Sequence, residues 1–178
     1  YIRGAKEDYN NWAYKGCYGW DYDSVLPYFK KSEAYELGEN EMHGGDGPMA
    51  VTKIKEPNPI SIVAIKGCQE LGYPTTDDFN TNIWGAGLND LSVTKDGIRC
   101  STAEAFLKPH LRSENLTIIT EALVHRLIIE NKRCVGVEYE CNGEIMKVYT
   151  TQEVILSAGT IGSAQILMLS GIGDQEEL

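Results

Sequence analysis

Four sets of residues in this sequence are of types that perform or support chemistry: His43, His110 and His125; the adjacent Cys100 and Ser101; Trp12, Trp20 and Trp84; and the small-residue turn Ser157-Ala158-Gly159-Thr160. A histidine acts as an acid or base only when a partner positions it. His43 stands in the loop "HGGDGP", which suits a hydrogen-bonding loop residue better than a catalyst, while His110 follows Pro109 and His125 sits in an apolar strand pattern. Both of the latter read as structural or surface residues. None of the three has an acidic neighbour at ligand spacing, so no metal site is expected. Cys100 beside Ser101 has the look of a nucleophile, yet Ser101 and Glu104 have capping-box spacing and no base is placed by the sequence. The tryptophans read as anchors of loops to a core, with an aromatic pocket as the alternative. At Ser157–Thr160 side-chain bulk vanishes where an apolar run turns into a helix. Such a turn serves either close helix packing or the approach of a flat or anionic ligand to bare backbone and helix N–H groups.

The elements that would position these residues follow from pattern. Residues 8–13 predict one or two helical turns ended by Gly16, and "DYDSVLPYFKKSE" predicts a short helix behind a capping aspartate, with Pro27 acceptable only in its first turn. A glycine-rich loop then leads to a strand at residues 49–52. "NPISIVAIKGCQELG" is the clearest helix, with Asn58 as cap, Pro59 at the first position, and Ile60, Val63, Ala64, Gly67, Cys68 and Leu71 on the face expected to pack. "LSVTKDGIRCS" predicts a hairpin turning at Asp96-Gly97, followed by a short helix from "STAEAFLK". From Asn115 onward "LTIIT", "LVHRLIIE", "RCVGVEYE", "IMKVYTT" and "EVILS" predict a meander of about five strands, with Asn142-Gly143 marking a hairpin. The class is α+β elements of a larger α/β protein.

The 178 residues, 42% hydrophobic, suffice for one domain or two small ones. No apolar run approaches the roughly 20 residues that span a bilayer, so membrane insertion is not expected. A net charge of −10 repels a phosphate backbone and excludes nucleic acid as a partner. Five cysteines, odd in number and without a CxxC, fit neither a disulfide framework nor a zinc site and predict a reducing, cytoplasmic location. The sequon Asn115-Leu116-Thr117 raises secretion as the alternative.

The blocks "YIRG", "DYNNWA", "GWDYDSVLPYFKKSE", "HGGDGPMAV", "DFN", "GIRCSTAEAFLKP", "NLTIITEALVHRL", "CVGVEY" and "VILSAGTIGSAQILMLSGIG" occur in an order that resembles the glucose-methanol-choline oxidoreductases over nearly the whole chain. Two details depart from the family pattern: Ala164 stands where proline or serine is usual, and no glycine follows the Asp78-Phe79-Asn80 triplet. The resemblance implies elements of an α/β two-domain flavoprotein. On it, residues 1–46 are an extension associated with the FAD domain, 47–112 part of the substrate domain, and 113–178 part of the FAD-binding domain. It implies FAD as cofactor, a small-molecule alcohol as substrate, and hydride transfer to flavin. Val124 would offer backbone to the adenine, Ala158 and Gly159 would form the turn beside the cofactor, and residues 1–4 would be the tail of a motif whose preceding residues touch the flavin.

The sequence holds no Gly-x-Gly-x-x-Gly turn after a strand, and the family's catalytic histidine, paired with a second histidine or an asparagine, has no counterpart in it. The expectation is therefore an internal piece with no catalytic residue of its own. Such a piece would be inactive alone, would bind FAD weakly or not at all, and would tend to self-associate through apolar surface its missing neighbours cover. Two other functions stay open: a hydroxynitrile lyase of the same fold, and a non-enzymatic binding module.

Overall fold

The computed structural model describes residues 1–176 and 178, arranged as two compact units, Tyr1–Leu116 and Thr117–Leu178. In the first unit, α1 (Lys6–Tyr14) begins where the Asp8 carboxylate accepts the Ala5 N–H at 2.9 Å, and the chain leaves it through Gly16 at φ +102°. In α2 (Tyr22–Ser32) the Asp21 carboxylate accepts the Ser24 N–H at 3.1 Å. Pro27 falls in the second turn of this helix, not the first as expected. Asp23, whose carbonyl loses its helical donor there, is exposed along with Pro27, so the gap lies at the surface.

Strand β1 (Glu33–Tyr35) follows α2 directly and pairs in parallel with β2 (Met49–Val51), in the register Glu33 to Met49 and Tyr35 to Val51. The thirteen-residue connection is the glycine-rich loop. It is pinned inside the pair by bonds from the Tyr35 N–H to the Gly44 carbonyl and from the Gly47 N–H to the Glu33 carbonyl, both 2.9 Å. Gly44 and Gly47 approach the main chain of residues 30–33 so closely that neither position has room for a Cβ. The core of this unit is small: Val51 is fully buried, and Tyr9, Tyr22, Tyr35, Cys100 and Ala105 are buried with it.

Helix α3 (Pro59–Glu70) starts as expected, with Asn58 accepting the Ile60 N–H at 3.0 Å and Pro59 at the first position. Its packing face differs from the expected one. Ser61, Ile62, Ile65, Gly67 and Cys68 are half-buried, whereas Ile60, Val63, Ala64 and Leu71 are exposed. The helix is apolar on most sides, so periodicity alone does not choose the face. The hairpin at Asp96-Gly97 is present as a single Val93–Arg99 bridge, with Gly97 at φ +81°. Ser101 Oγ accepts the Glu104 N–H at 3.3 Å and opens a π-helical turn, Ala103–Leu107, which passes into a 3-10 turn at Lys108–His110.

The second unit is an antiparallel sheet of three strands, β3 (Ala122–Glu130), β4 (Arg133–Cys141) and β5 (Glu144–Tyr149), with α4 (Gly159–Leu169) packed on β3. Asn142 and Gly143 both have positive φ, as a two-residue hairpin turn of this hand requires. Five strands were expected and three form. Residues 116–120 and 153–157 have no ladder partner among the described residues, and Ile155 is 81% exposed. A β-branched run becomes a strand only when another strand satisfies its backbone. No helix among the described residues is long and apolar enough to cross a membrane.

Candidate functional site

The turn singled out in the sequence lies at the start of α4. Ala158 is the cap residue, and its N–H donates to Ser163 Oγ at 3.1 Å, so the helix supplies its own acceptor for that donor. Gly159 has φ +82°, and a Cβ built on it would meet no heavy atom within 4 Å. The residues of this turn are exposed, and the backbone of Gly159 is open on the side a larger residue would fill. Val124 lies on β3, the strand on which α4 packs, and is half-buried. The ladder slips between Val124 and Arg126, which face Tyr139 and Glu138, so His125 is the extra residue of a β-bulge. Its Nε2 lies 3.3 Å from Glu140 Oε2. The three residues expected to face a cofactor thus belong to one unit, on two elements in contact. An uncovered turn of small residues at a helix N-terminus leaves main chain accessible, as a cofactor held through backbone would need.

The first unit holds a cluster that the spacing of the sequence does not reveal. His43 is fully buried and stacks on the Tyr35 ring, with centroids 3.9 Å apart. Its Nδ1 lies 2.9 Å from Glu33 Oε1 and its Nε2 2.9 Å from Asp78 Oδ2. Each ring nitrogen thus has a carboxylate oxygen as its partner. Glu33, also fully buried, takes further bonds from Arg3 Nη2 at 2.5 Å and the Gly44 N–H at 3.0 Å. Arg3 donates through Nη1 to the Met42 carbonyl and through its main-chain N–H to Asn80 Oδ1 at 2.8 Å, and the Asn80 N–H returns to Asp78 Oδ1 at 2.8 Å. The result is a closed circuit, Arg3 to Glu33 to His43 to Asp78 to Asn80 and back to Arg3. Apart from Asp78 and Asn80, two residues apart, its pairs are not local: Glu33 and His43 are ten residues apart, His43 and Asp78 thirty-five. His43 is the loop-stabilising residue expected from its sequence setting, with two carboxylates that the sequence keeps distant.

Within this circuit the Asp78 carboxyl is held below the usual carboxylate range. Partial burial works to raise it, and donation from Thr81, His43 and the Asn80 N–H overcomes that. A carboxylate whose folded pKa lies below its unfolded value of about 3.9 stabilises the fold above that pH, and the contribution disappears as pH falls through the folded value. The urea midpoint of the first unit is accordingly expected to hold between neutrality and about pH 5 and to decline below about pH 4. Asp78→Asn should flatten that acid limb, and an identical limb in the variant would exclude this origin.

The remaining candidates have plain roles. Cys100 is buried against β2, its Sγ accepting the Ala50 N–H at 3.3 Å, and Ser101 is occupied as a cap. His110 is exposed. The tryptophans depart from expectation: Trp12 and Trp20 are about half exposed and Trp84 is 76% exposed, so none is anchored in the core of this chain. Trp12 instead meets Tyr9 edge-on at 5.3 Å and Trp20 at 6.2 Å. All five cysteines are free.

The helices and sheets and the order of blocks are those of one family. Residues 1–178 match the family model for GMC oxidoreductase, and the chain belongs to that family. Among curated relatives it is 45% identical to the mitochondrial choline dehydrogenase of Mus musculus, over all of this chain and 30% of that protein. It is also 45% identical to an oxygen-dependent choline dehydrogenase of Chromohalobacter salexigens, over all of this chain and 32% of that one. Among solved structures, pyridoxine 4-oxidase from Mesorbium loti superposes with a TM-score of 0.85 at 30% identity, over 99% of this chain and 35% of that chain. An FAD-dependent oxidoreductase from Chaetomium thermophilum gives 0.87 at 27% identity, over 99% and 33%. The chain therefore spans about a third of the length of these proteins.

Proposed function

We propose that this chain contributes the turn side of an FAD site, and part of the substrate domain, to an oxidoreductase that oxidises an alcohol, with choline as the first substrate to test. The observation that carries the reading is 45% identity, over the whole chain, to a protein named choline dehydrogenase. Bound FAD would supply the hydride acceptor. The residues of this chain would hold it: Val124 through backbone at the adenine, and Ala158 and Gly159 by keeping side chains out of the cofactor's path. The open side of Gly159 and the bulge beside Val124 support those assignments. Residues 1–4 would continue the segment that touches the flavin. Residues 1–46, 47–112 and 113–178 would be the FAD-associated extension, the partial substrate domain and the partial FAD domain. Five free cysteines favour a reducing compartment, the cytoplasm first and the mitochondrion by analogy with the mouse relative.

Two measurements test the reading. A full-length protein should purify yellow, and its flavin should bleach anaerobically on addition of choline as the aldehyde forms. A flavin that no alcohol reduces, in a protein that cleaves a cyanohydrin, would replace the reading with lyase chemistry. The 178-residue chain by itself should purify colourless and inactive, because the contacts assigned to it are backbone at one turn and one strand, and it should self-associate through its exposed apolar surface. Stoichiometric flavin in the isolated chain would contradict this.

A further inference from the structure

We infer that Arg3, Glu33, His43 and Asp78 are positioning residues that fix residues 1–4 against the two loops at residues 40–44 and 78–81. The inference rests on the reading above, in which residues 1–4 continue a flavin-contacting segment; the circuit itself stands on the geometry alone. Arg3 is the only member on that segment, and it is held from both ends. Its main-chain N–H is fixed by Asn80, while its guanidinium reaches the Met42 carbonyl and Glu33. Its side chain is 3% exposed and that of Glu33 0%. His43 ties the two loops to each other by bonding Glu33 with one nitrogen and Asp78 with the other, and the face of Tyr35 prevents its ring from tilting. Every bond of the circuit joins groups fixed by another bond of the circuit, so no member can move alone. A segment held in this way has one path, and whatever follows from residues 1–4 inherits it.

A device that only stabilised the fold could be replaced by any equally stabilising contact; a positioning device cannot. The test uses the full-length, flavin-loaded protein and compares Glu33→Gln and His43→Ala with Val51→Ala, which weakens the same unit through a fully buried core residue that makes none of the circuit's hydrogen bonds. The circuit variants are expected to change the visible circular dichroism of the flavin and to lower kcat by about tenfold to a hundredfold with KM changed less than about threefold, as small misplacements of reacting groups do. Val51→Ala is expected to lose stability with both readouts unchanged. If Glu33→Gln fails to fold, Asp78→Asn, at the outer end of the circuit where the side chain is 19% exposed, gives the same comparison. Circuit variants with the wild-type flavin spectrum and kcat overturn the inference, and so does a Val51→Ala that reproduces their changes. A full-length wild type that carries no flavin overturns the functional reading first and this inference with it.

Discussion

Replacing Glu33 with alanine is expected to lower the unfolding free energy of the first unit by about 3–5 kcal/mol, the range for removing one partner of a buried ion pair. The change leaves the Arg3 guanidinium without its carboxylate, His43 Nδ1 without its partner and the Gly44 N–H unbonded, all at buried positions. Asp78 compensates only the far side of His43. An exposed pair provides the contrast. Lys6 and Asp23 lie 3.1 Å apart with side chains 53% and 75% exposed, and Asp23→Ala should cost no more than about 0.5 kcal/mol, since solvent screens such pairs. Urea titrations of the two variants against wild type decide the matter, and equal losses would mean that the buried circuit contributes no more than a surface contact.

The second large effect is steric. At Gly44 an alanine Cβ would fall inside the van der Waals surface of the Lys30 carbonyl oxygen and 2.6 Å from its carbon. Gly44 cannot retreat, because its N–H is fixed by Glu33 and its carbonyl by the Tyr35 N–H. Gly44→Ala is expected to destabilise by about 3 kcal/mol or more, at the top of the range for overpacking. Gly67 serves as the matched control, since it sits inside α3 with nothing within 4 Å of its Cβ position. There the same substitution should gain about 0.5–1 kcal/mol from the reduced freedom of the unfolded chain. Melting temperatures moving in opposite directions are the expected result, and a Gly44→Ala that melts with wild type would refute the close approach.

What the sequence reveals and what it hides divide along range. The Asn58-Pro59 start of α3 and the Asn142-Gly143 turn are decided by residues within a few positions of one another, and both are where the pattern puts them. The packing face of α3 depends on partners far along the chain, and there the pattern is wrong. The strands expected at residues 116–120 and 153–157 are wrong for a related reason: propensity is local, but a ladder needs a neighbour. The site shows the same split. Smallness at Ala158 and Gly159 is visible in the letters, whereas the carboxylates of His43 arrive from ten and thirty-five residues away and leave no spacing signal.

The span of the circuit bears on how the chain is made. Arg3 emerges from the ribosome seventy-seven residues ahead of the amide that fixes its main chain. Until Asp78 and Asn80 have been synthesised, the Arg3 main-chain N–H and His43 Nε2 lack their partners, and burying them unpaired is unfavourable. The first unit should therefore stay open during translation and close late, in a single step, when the 78–81 loop leaves the exit tunnel.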